Sequence, residues 1–317
     1  MTRETDTIVR VAAAVILRPD GQVLLAQRPA GKAYAGYWEF PGGKLEPGET
    51  PRHALDRELR EELGLAVRRA APWIVQRYRY PHAHVELHFF RVFEWEGEPV
   101  GHDGQAFAWQ QPGRFDVEPL LPANTLVLRA LLLPPVYGIT MAGELGEQAF
   151  LARAKAALDG GLRLIQLREK DWPEESQRAL ADALIALARP YDAKVLLNGD
   201  AQRARAWGCD GVHWTSPTLE AATARPDGML CAASCHTRPD IERAGTLGLD
   251  FAVLGPVSPT PSHPGAQTLG WEAFAAIAAL TPLPIYALGG LEHADLPVAI
   301  AHGAHGVALR RAAWPAV

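Results

Sequence analysis

The chain has 317 residues, of which 48% are hydrophobic and 21% charged, and its formal net charge is −5. This composition excludes a disordered chain. The acidic balance argues against direct nucleic-acid binding, which needs a basic face. The cysteines Cys209, Cys231 and Cys235 form neither a CxxC pair nor a zinc-binding spacing. Since no apolar run approaches the roughly 20 residues of a membrane span, we expect a cytoplasmic protein without a membrane partner.

The first part of the chain alternates strands and turns around one strong helix. Runs 11–17 and 23–27 flank the turn Pro19-Asp20-Gly21 and predict a hairpin. Residues 74–80 and 85–95, rich in β-branched and aromatic side chains, predict two further strands. The sequence pattern changes near residues 132–135, so we predict a first domain over residues 1–131, a linker over 132–135 and a second domain over 136–317.

An acidic helix follows a pair of glycines, Gly42 and Gly43, that permits a close backbone approach. Thr50 is a good N-cap and Gly64 suits the position after the last turn, so we predict a helix over residues 51–63. Three glutamates fall at i, i+3 and i+4 on one face of this helix, namely Glu58, Glu61 and Glu62. Their carboxylates repel one another unless a cation lies among them. Mg²⁺ suits such oxygen ligands, with Mn²⁺ as a substitute.

After Pro135, short apolar runs alternate with alanine-rich helical segments. The predicted strands are 136–140, 164–167, 195–197, 211–214, 230–234, 251–255, 285–288 and 307–309. Eight such units in this length predict a compact (β/α)8 TIM barrel, so the chain as a whole combines an α+β and an α/β domain. A doubly wound sheet is the alternative, because periodicity does not show whether a sheet closes.

The glycine loop and helix together carry the pattern G-x5-E-x7-R-E-L-x-E-E-x-G-L between Gly43 and Leu65. This segment resembles the Nudix box without a departure. The resemblance implies a Nudix α/β/α sandwich with a mixed sheet, and Mg²⁺-dependent hydrolysis of a nucleoside diphosphate linked to another group. It also implies a catalytic set made of Arg57, Glu58, Glu61 and Glu62. The implied metal ligands are these three glutamates and Gly42.

Outside this box the chain resembles the MutT-type 8-oxo-dGTP diphosphatases. The shared segments, in order, are Gln27-Arg28, residues 38–44, residues 95–99, Gly104-Gln105 and Pro122-Ala123-Asn124. The resemblance implies that Asn124 reads the purine edge, since an amide both donates and accepts. Asp103 stands where the MutT pattern has a catalytic glutamate. The implied substrate-binding residues are Arg28, Glu39, Phe40, Gly42, Lys44 and Asn124.

The expected reaction of the first domain is hydrolysis of 8-oxo-dGTP to 8-oxo-dGMP and diphosphate, which cleans the nucleotide pool and so serves DNA repair. A second enzymatic hypothesis is hydrolysis of damaged thiamine diphosphates, which would explain the second domain. A turnover assay on both substrates distinguishes them, because fold analogy does not.

The second domain resembles thiamine-phosphate synthase and the related thiazole tautomerase TenI. The shared segments, in order, are Tyr137–Thr140, Gln166–Lys170, Asp210–His213, Leu254–Val257 and Leu288–Gly290. Gln166, Arg168 and Lys170 are spaced by two, so a strand would aim all three toward the mouth of the barrel, where they suit a phosphate. The ligand-binding set implied for a phosphorylated thiazole or pyrimidine is Gln166, Arg168, Lys170, Asn198, His236, Gly289 and Gly290.

Three positions depart from the synthase pattern. Gly199 and Thr218 stand where the synthase has aspartates that bind its metal, and Arg311 stands where it has a phosphate-binding serine. We therefore predict that the barrel binds a phosphorylated ligand but does not synthesise thiamine phosphate. A hypothesis of another class makes the barrel a non-catalytic sensing or oligomerisation module.

Overall fold

The computed structural model describes residues 7–102, 104–260, 265 and 267–316. The chain divides into two compact units: the first is Met1–Leu132 with the short segment Ala279–Pro282, and the second is Leu133–Ala278 with Leu283–Val317. No described helix combines the length and the apolar character that crossing a bilayer requires.

The first unit contains a mixed four-stranded sheet and a smaller three-stranded sheet, with two α-helices in the described part. The elements are β1 (Ile8–Ile16), β2 (Val23–Gln27), β3 (Trp38–Glu39), β4 (Gly42–Lys44), α1 (Pro51–Leu63), β5 (Ala66–Tyr80), β6 (Ala83–Glu96), β7 (Phe107–Gln110) and α2 (Thr125–Ala130). The larger sheet has the order β4-β1-β6-β5, and the smaller sheet the order β3-β2-β7. The sheet is mixed because β1 runs parallel to β6 and antiparallel to β4.

Strand β1 forms the middle layer of a sandwich, because its side chains alternate between two faces. Ala14 and Ile16 pack in one apolar cluster with Leu55, Leu59 and Leu63 of α1. The intervening residues of β1 belong to a second cluster, which includes side chains of α2. The predicted α/β/α sandwich is therefore confirmed.

Helix α1 has the predicted limits, since both of its end signals form. The Thr50 side chain accepts a hydrogen bond from the His53 amide at 3.3 Å, and Gly64 takes a left-handed φ of 68°. The hairpin predicted around Pro19-Asp20-Gly21 needs correction. The turn closes with a Leu17–Val23 bridge, but the two strands then join different sheets. The turn residues specify a reversal of the chain, and they do not specify the partner of each strand.

The second unit contains eight parallel strands in the described part, each followed by helix or loop. Its strands are β8 (Val136–Ile139), β9 (Leu164–Leu167), β10 (Lys194–Asn198), β11 (Gly211–Trp214), β12 (Leu230–Cys235), β13 (Phe251–Leu254), β14 (Ile285–Leu288) and β15 (Gly306–Leu309). Its helices are α3 (Ala142–Leu145), α4 (Glu147–Asp159), α5 (Glu174–Ala188), α6 (Ala201–Ala206), α7 (Ser216–Ala221), α8 (Arg238–Thr246), α9 (Gly270–Ala278) and α10 (Leu296–Ala301).

The sheet closes because β8 pairs with both β9 and β15. Closure confirms the predicted (β/α)8 barrel and excludes the doubly wound alternative. The barrel interior is filled by aromatic rings of Tyr137, Phe251 and Tyr286, whose centroids lie 5.1–5.9 Å apart. In such a barrel the carboxyl ends of the strands share one mouth, where ligands bind.

Candidate functional sites

The first unit contains a cleft of about 570 Å³ beside the glycine loop and helix α1. Most of the residues predicted for catalysis or substrate binding line it, and these are Arg28, Glu39, Gly42, Lys44, Glu58 and Glu62. Gln27, Lys32, Tyr34, Tyr80, His82 and Gln105 also line it, and the sequence analysis did not assign them a role.

Both glycines of the loop are required by close packing. A Cβ on Gly43 would lie 2.1 Å from the Glu58 carboxyl carbon. A Cβ on Gly42, where φ is +146°, would lie 2.0 Å from the Ala12 carbonyl oxygen. The loop backbone therefore lies directly against the carboxylate of Glu58, as the paired glycines predict.

Arg57 ties this loop to the helix. Its guanidinium donates to the Lys44 carbonyl oxygen at 3.0 Å and to both carboxylate oxygens of Glu49 at 3.0 Å. The same group donates to Glu58 at 2.9 Å and to Glu61 at 3.2 Å. These hydrogen bonds, above all those that Arg57 donates to Glu49, raise the pKa of Arg57 well above its usual range. Arg57 therefore positions the carboxylates and the loop relative to each other.

The three glutamates of the helix differ in their surroundings. Glu58 and Glu62 line the cleft, with side chains 14% and 18% exposed, whereas the Glu61 side chain is 61% exposed. Within the described residues, no three His, Cys, Asp or Glu side chains converge as a metal site. Asp103, predicted to be catalytic, lies outside the described residues. Glu58 and Glu62 still provide the hard oxygen donors that suit Mg²⁺, beside the loop backbone.

An ion pair closes one side of the cleft. Arg28 Nη1 lies 2.6 Å from Glu39 Oε1, and Arg28 Nε donates to the Ala33 carbonyl oxygen at 2.7 Å. Burial raises the pKa of Glu39, and Arg28 opposes that rise without cancelling it. Lys32 also lines the cleft, with its Nζ 4.0 Å from Glu62 Oε1.

Two of the predicted substrate-binding residues are buried beside the cleft rather than in its lining. Phe40 packs in the core, with its ring centroid 5.9 Å from that of Phe89. Asn124 is 4% exposed, and the cleft lining includes Leu121, three positions earlier, but not Asn124. The role predicted for Asn124 therefore stays a prediction.

An aromatic wall, which we define as Tyr34, Tyr80 and His82, borders the cleft. The three ring centroids lie 5.2–5.8 Å apart. Tyr34 has a φ of +58°, a conformation that is unfavourable for a bulky residue and often occurs at functional sites. The Tyr80 hydroxyl is buried beside the Ala123 backbone, and within the described residues it has no hydrogen bond of ordinary geometry. The clustering of aromatic residues at 78–82 was the available sequence signal.

The second unit has a cavity of about 1010 Å³ at the carboxyl ends of the barrel strands. All seven residues predicted for ligand binding line it, namely Gln166, Arg168, Lys170, Asn198, His236, Gly289 and Gly290. Gln166 lies at the end of β9, whereas Arg168 and Lys170 follow the strand and reach the cavity from the loop. Gly290 is needed there, because a Cβ would lie 2.3 Å from the Pro259 carbonyl oxygen.

A buried hydrogen-bonded chain forms the floor of this cavity. His213 Nδ1 lies 3.2 Å from the Tyr137 hydroxyl, and His213 Nε2 lies 2.9 Å from Ser234 Oγ. Burial, with a smaller contribution from the charge of Arg168, lowers the pKa of His213 to about 3. The floor is therefore neutral at physiological pH. Nearer the rim, His236 Nδ1 lies 2.7 Å from the Gly255 carbonyl oxygen and donates a hydrogen bond to it.

The positions that depart from the synthase pattern carry no carboxylate into the cavity. Asp200, next to Gly199, accepts a hydrogen bond from the Arg203 amide at 2.8 Å and so caps the N-terminus of helix α6. The Thr218 hydroxyl lies 2.9 Å from that of Thr215, which caps helix α7. Arg311, which stands where the synthase pattern has a phosphate-binding serine, lines the cavity.

The two sites lie in two separate folds, one sandwich and one barrel, and the lining of each site has cationic side chains that suit a phosphate. Residues 7–131 match the NUDIX domain family, and residues 136–313 match the thiamine monophosphate synthase family. The chain belongs to both families, as a fusion of a Nudix hydrolase with a thiamine-phosphate-synthase-like TIM barrel. Both resemblances found in the sequence are thereby confirmed.

Similar proteins share these two parts separately. An 8-oxo-dGTP diphosphatase from Haemophilus influenzae is 40% identical over 125 residues, which are 39% of this chain and 92% of that protein. A CTP pyrophosphohydrolase from Escherichia coli is 41% identical, over 39% of this chain and 92% of that protein. A putative thiamine-phosphate synthase from Geobacter sulfurreducens is 40% identical, over 55% of this chain and 84% of that protein. The first unit is thus a nucleotide hydrolase of the Nudix type.

Proposed function

We propose that the first unit is an Mg²⁺-dependent nucleoside triphosphate pyrophosphohydrolase that converts 8-oxo-dGTP to 8-oxo-dGMP and diphosphate. The observation that carries this proposal is the composition of the cleft. Carboxylates of Glu58 and Glu62 face it together with cations of Arg28 and Lys44, and the aromatic wall borders it. The 40% identity to an 8-oxo-dGTP diphosphatase supports this substrate.

The donors in the cleft fit a hard divalent cation, and Nudix hydrolases generally use one. Glu58 and Glu62 would hold it, with the backbone of Gly42 alongside and Glu61 available if its exposed side chain turns inward. When bound, Mg²⁺ neutralises phosphate charge and lowers the pKa of water.

The side chains of the cleft divide the remaining work. Arg28 and Lys44 bind phosphate oxygens through charge-assisted hydrogen bonds. A water oxygen bonds to phosphorus as the bond to the bridging oxygen between the α and β phosphates breaks. A carboxylate of the cleft accepts the proton of this water, and Glu58 and Glu62 are both placed for it. Arg57 is a positioning residue, since it contacts the loop and the carboxylates.

The base lies against the aromatic wall in this proposal. Tyr34 and Tyr80 provide stacking surface, and a purine offers more area for stacking than a pyrimidine. The Tyr80 hydroxyl, which burial keeps protonated by raising its pKa, can donate to a base atom. Asn124 supplies the donor and acceptor that an 8-oxopurine edge requires.

A panel of substrates tests this assignment with the full-length protein. We expect kcat/KM for 8-oxo-dGTP to exceed the values for dGTP, CTP and oxidised thiamine diphosphate, with Mg²⁺ required throughout. A preference for CTP would overturn the assigned base, because a CTP pyrophosphohydrolase is as similar to this unit.

A second candidate substrate for the first unit is a damaged thiamine diphosphate. The observation that favours it is the fused barrel, which belongs to the thiamine monophosphate synthase family. In the panel described above, this candidate requires the oxidised thiamine diphosphate to have the highest kcat/KM.

We further propose that the barrel binds a phosphorylated thiazole or pyrimidine without joining the two. Gln166, Arg168 and Lys170 support binding, while Gly199 and Thr218 supply no carboxylate for a metal. Expression of the full chain should therefore fail to rescue a thiamine-requiring strain that lacks the synthase. Rescue at ordinary expression would show that Asp200 or another acid replaces the metal ligands.

A further inference from the structure

Four cationic side chains occupy one arc of the barrel rim. Arg168 and Lys170 follow strand β9, whereas Arg310 and Arg311 follow strand β15, and all four line the cavity. The two strands are separated only by β8, which pairs with both. Among the described lining residues, Glu292 is the single acidic one. The side chains that line the arc are therefore mainly cationic, and the nearby acids Glu169 and Asp171 offset part of the charge around Arg168.

The cations of the arc are close enough to influence one another. The pKa of Arg168 is lowered by burial and, next, by the positive charge of Arg310. The pKa of Lys170 is lowered chiefly by the charge of Arg168. Mutual repulsion of this kind is unfavourable unless an anionic group lies among the side chains.

Glu144, in the short helix α3, supplies part of the compensating charge. Its carboxylate lies 2.6 Å from Arg310 Nη1 and 3.4 Å from Arg311 Nη2. The backbone beside it is fixed, because the Glu169 carboxylate accepts hydrogen bonds from the Ala142 and Gly143 amides at 2.8 and 2.9 Å. The Glu144 side chain itself is 39% exposed, so it is free to turn into solvent.

We propose that Arg168, Lys170, Arg310 and Arg311 bind a diphosphate group directly, without a metal ion, and that the ligand displaces Glu144 from the arginines. Planar guanidinium groups bind phosphate oxygens in pairs, and several of them neutralise a multiply charged anion. This inference rests on the proposed binding of a phosphorylated ligand in the barrel, and it specifies how the charge of that ligand is met.

Apart from Glu292, much of the remaining lining of the cavity is uncharged and partly apolar. Ser234 and the neutral His213 lie at its floor, and Ile139, Val253 and Leu288 line its walls. A diphosphate ester with a neutral ring would fill this space. Free diphosphate, the product proposed for the first unit, has the same anionic group and would bind the arc alone.

Calorimetric titration of the full-length protein with inorganic diphosphate in EDTA tests the metal-free site. We expect binding in EDTA that is at least about tenfold weaker in the double variant R310Q/R311Q, because two charge-assisted contacts are removed. R178Q is the matched control, since Arg178 pairs with Asp182 on α5 and does not line the cavity. Its affinity should equal that of the unchanged protein.

The variant E144Q gives a second, independent readout. If Glu144 competes with the ligand for the arginines, E144Q should bind diphosphate several-fold more tightly. If Glu144 only holds the arginines in place, the same variant should bind more weakly, which would overturn the displacement. E144Q also keeps the inference testable if the double arginine variant folds poorly.

Other outcomes distinguish failure of the metal-free diphosphate site from failure of the barrel to bind any phosphorylated ligand. Binding that requires Mg²⁺, or that is unchanged in R310Q/R311Q, would overturn the metal-free arc while leaving a phosphorylated barrel ligand intact. Failure of inorganic diphosphate, inorganic phosphate and thiamine diphosphate to bind in either medium would overturn both. If thiamine diphosphate binds more tightly than inorganic diphosphate, the arc is supported and its ligand is a diphosphate ester. If inorganic diphosphate binds more tightly, the ligand is free diphosphate.

Discussion

The cleft of the Nudix unit and the cavity of the barrel both suit phosphates, yet their linings have opposite character. In the cleft, Glu39, Glu58 and Glu62 face the same space as the cations. In the cavity, four cations face a lining with one described acidic residue. Carboxylates repel a phosphate unless a divalent cation lies between them, whereas arginines attract it directly. We therefore expect the two sites to differ in their need for a metal ion.

The largest effect on activity is expected when one carboxylate is removed from the cleft. Glu62→Gln should lower kcat by about 10² or more, as losses of key electrostatic groups do. Glu61→Gln should cost at least tenfold less, because that side chain is mostly exposed. Glu94→Gln is the control, since Glu94 on β6 forms an exposed ion pair with Arg69, and it should leave kcat unchanged. Full activity of Glu62→Gln in saturating Mg²⁺ would exclude Glu62 as a metal ligand.

The neutral His213 at the floor of the barrel cavity allows a second test, which measures how the free energy of unfolding depends on pH. The pKa of His213 falls from an ordinary value of 6.5 to about 3 on folding. Below pH 6.5 the unfolded chain binds a proton that the folded chain does not, so this stability is complete above pH 6.5 and is lost as the pH falls toward 3. At pH 4.5 the loss should reach about 2–3 kcal/mol relative to pH 7.

Urea unfolding of the barrel at both pH values measures that loss. Between pH 7 and pH 4.5 the variant His213→Gln should lose about 2–3 kcal/mol less stability than the unchanged protein, because it has no proton to gain at this position. His293→Gln, at an exposed position, should retain it. Equal pH dependence in all three proteins would show that His213 is not buried in its neutral form.

A third test concerns how the cleft reads the base. Asn124→Ala should reduce kcat/KM for 8-oxo-dGTP more than for dGTP, by a difference of about 1–3 kcal/mol, because a matched polar contact is lost. Parallel kinetics on the two nucleotides measures this difference. Since Asn124 is buried, equal losses on both substrates would assign it to the fold rather than to recognition.

The smallest expected effect is that of the aromatic wall. Tyr80→Phe keeps the ring contacts and removes the hydroxyl, so it should raise KM for 8-oxo-dGTP by a few-fold, as expected for about 0.5–1.5 kcal/mol of one hydrogen bond. The melting temperature should not fall, because this hydroxyl makes no ordinary hydrogen bond within the described residues. A lower melting temperature with unchanged KM would place the hydroxyl in the fold alone.

Local patterns in the sequence were enough to predict many of the helices and strands and to recognise the two families. Helix α1 has its predicted limits because Thr50 and Gly64 act on the backbone next to them. Strands 164–167, 211–214 and 285–288 also have their predicted limits. These are short apolar runs that must be buried on both faces, and glycines precede several of them. The residues of the box and of the barrel loops were identifiable for the same reason, since their spacing is local.

Which elements and side chains meet depends on how the chain packs. Packing places β1 and β2 in different sheets, although a turn joins them. It turned Glu58 and Glu62 toward the cleft and left Glu61 exposed, a choice that helical spacing does not make. It also brought Arg310 beside Arg168, more than a hundred residues apart in the chain, because the closing of the barrel places β15 and β9 on either side of β8. Contacts of this kind depend on how elements pack, and no local pattern in the chain encodes them.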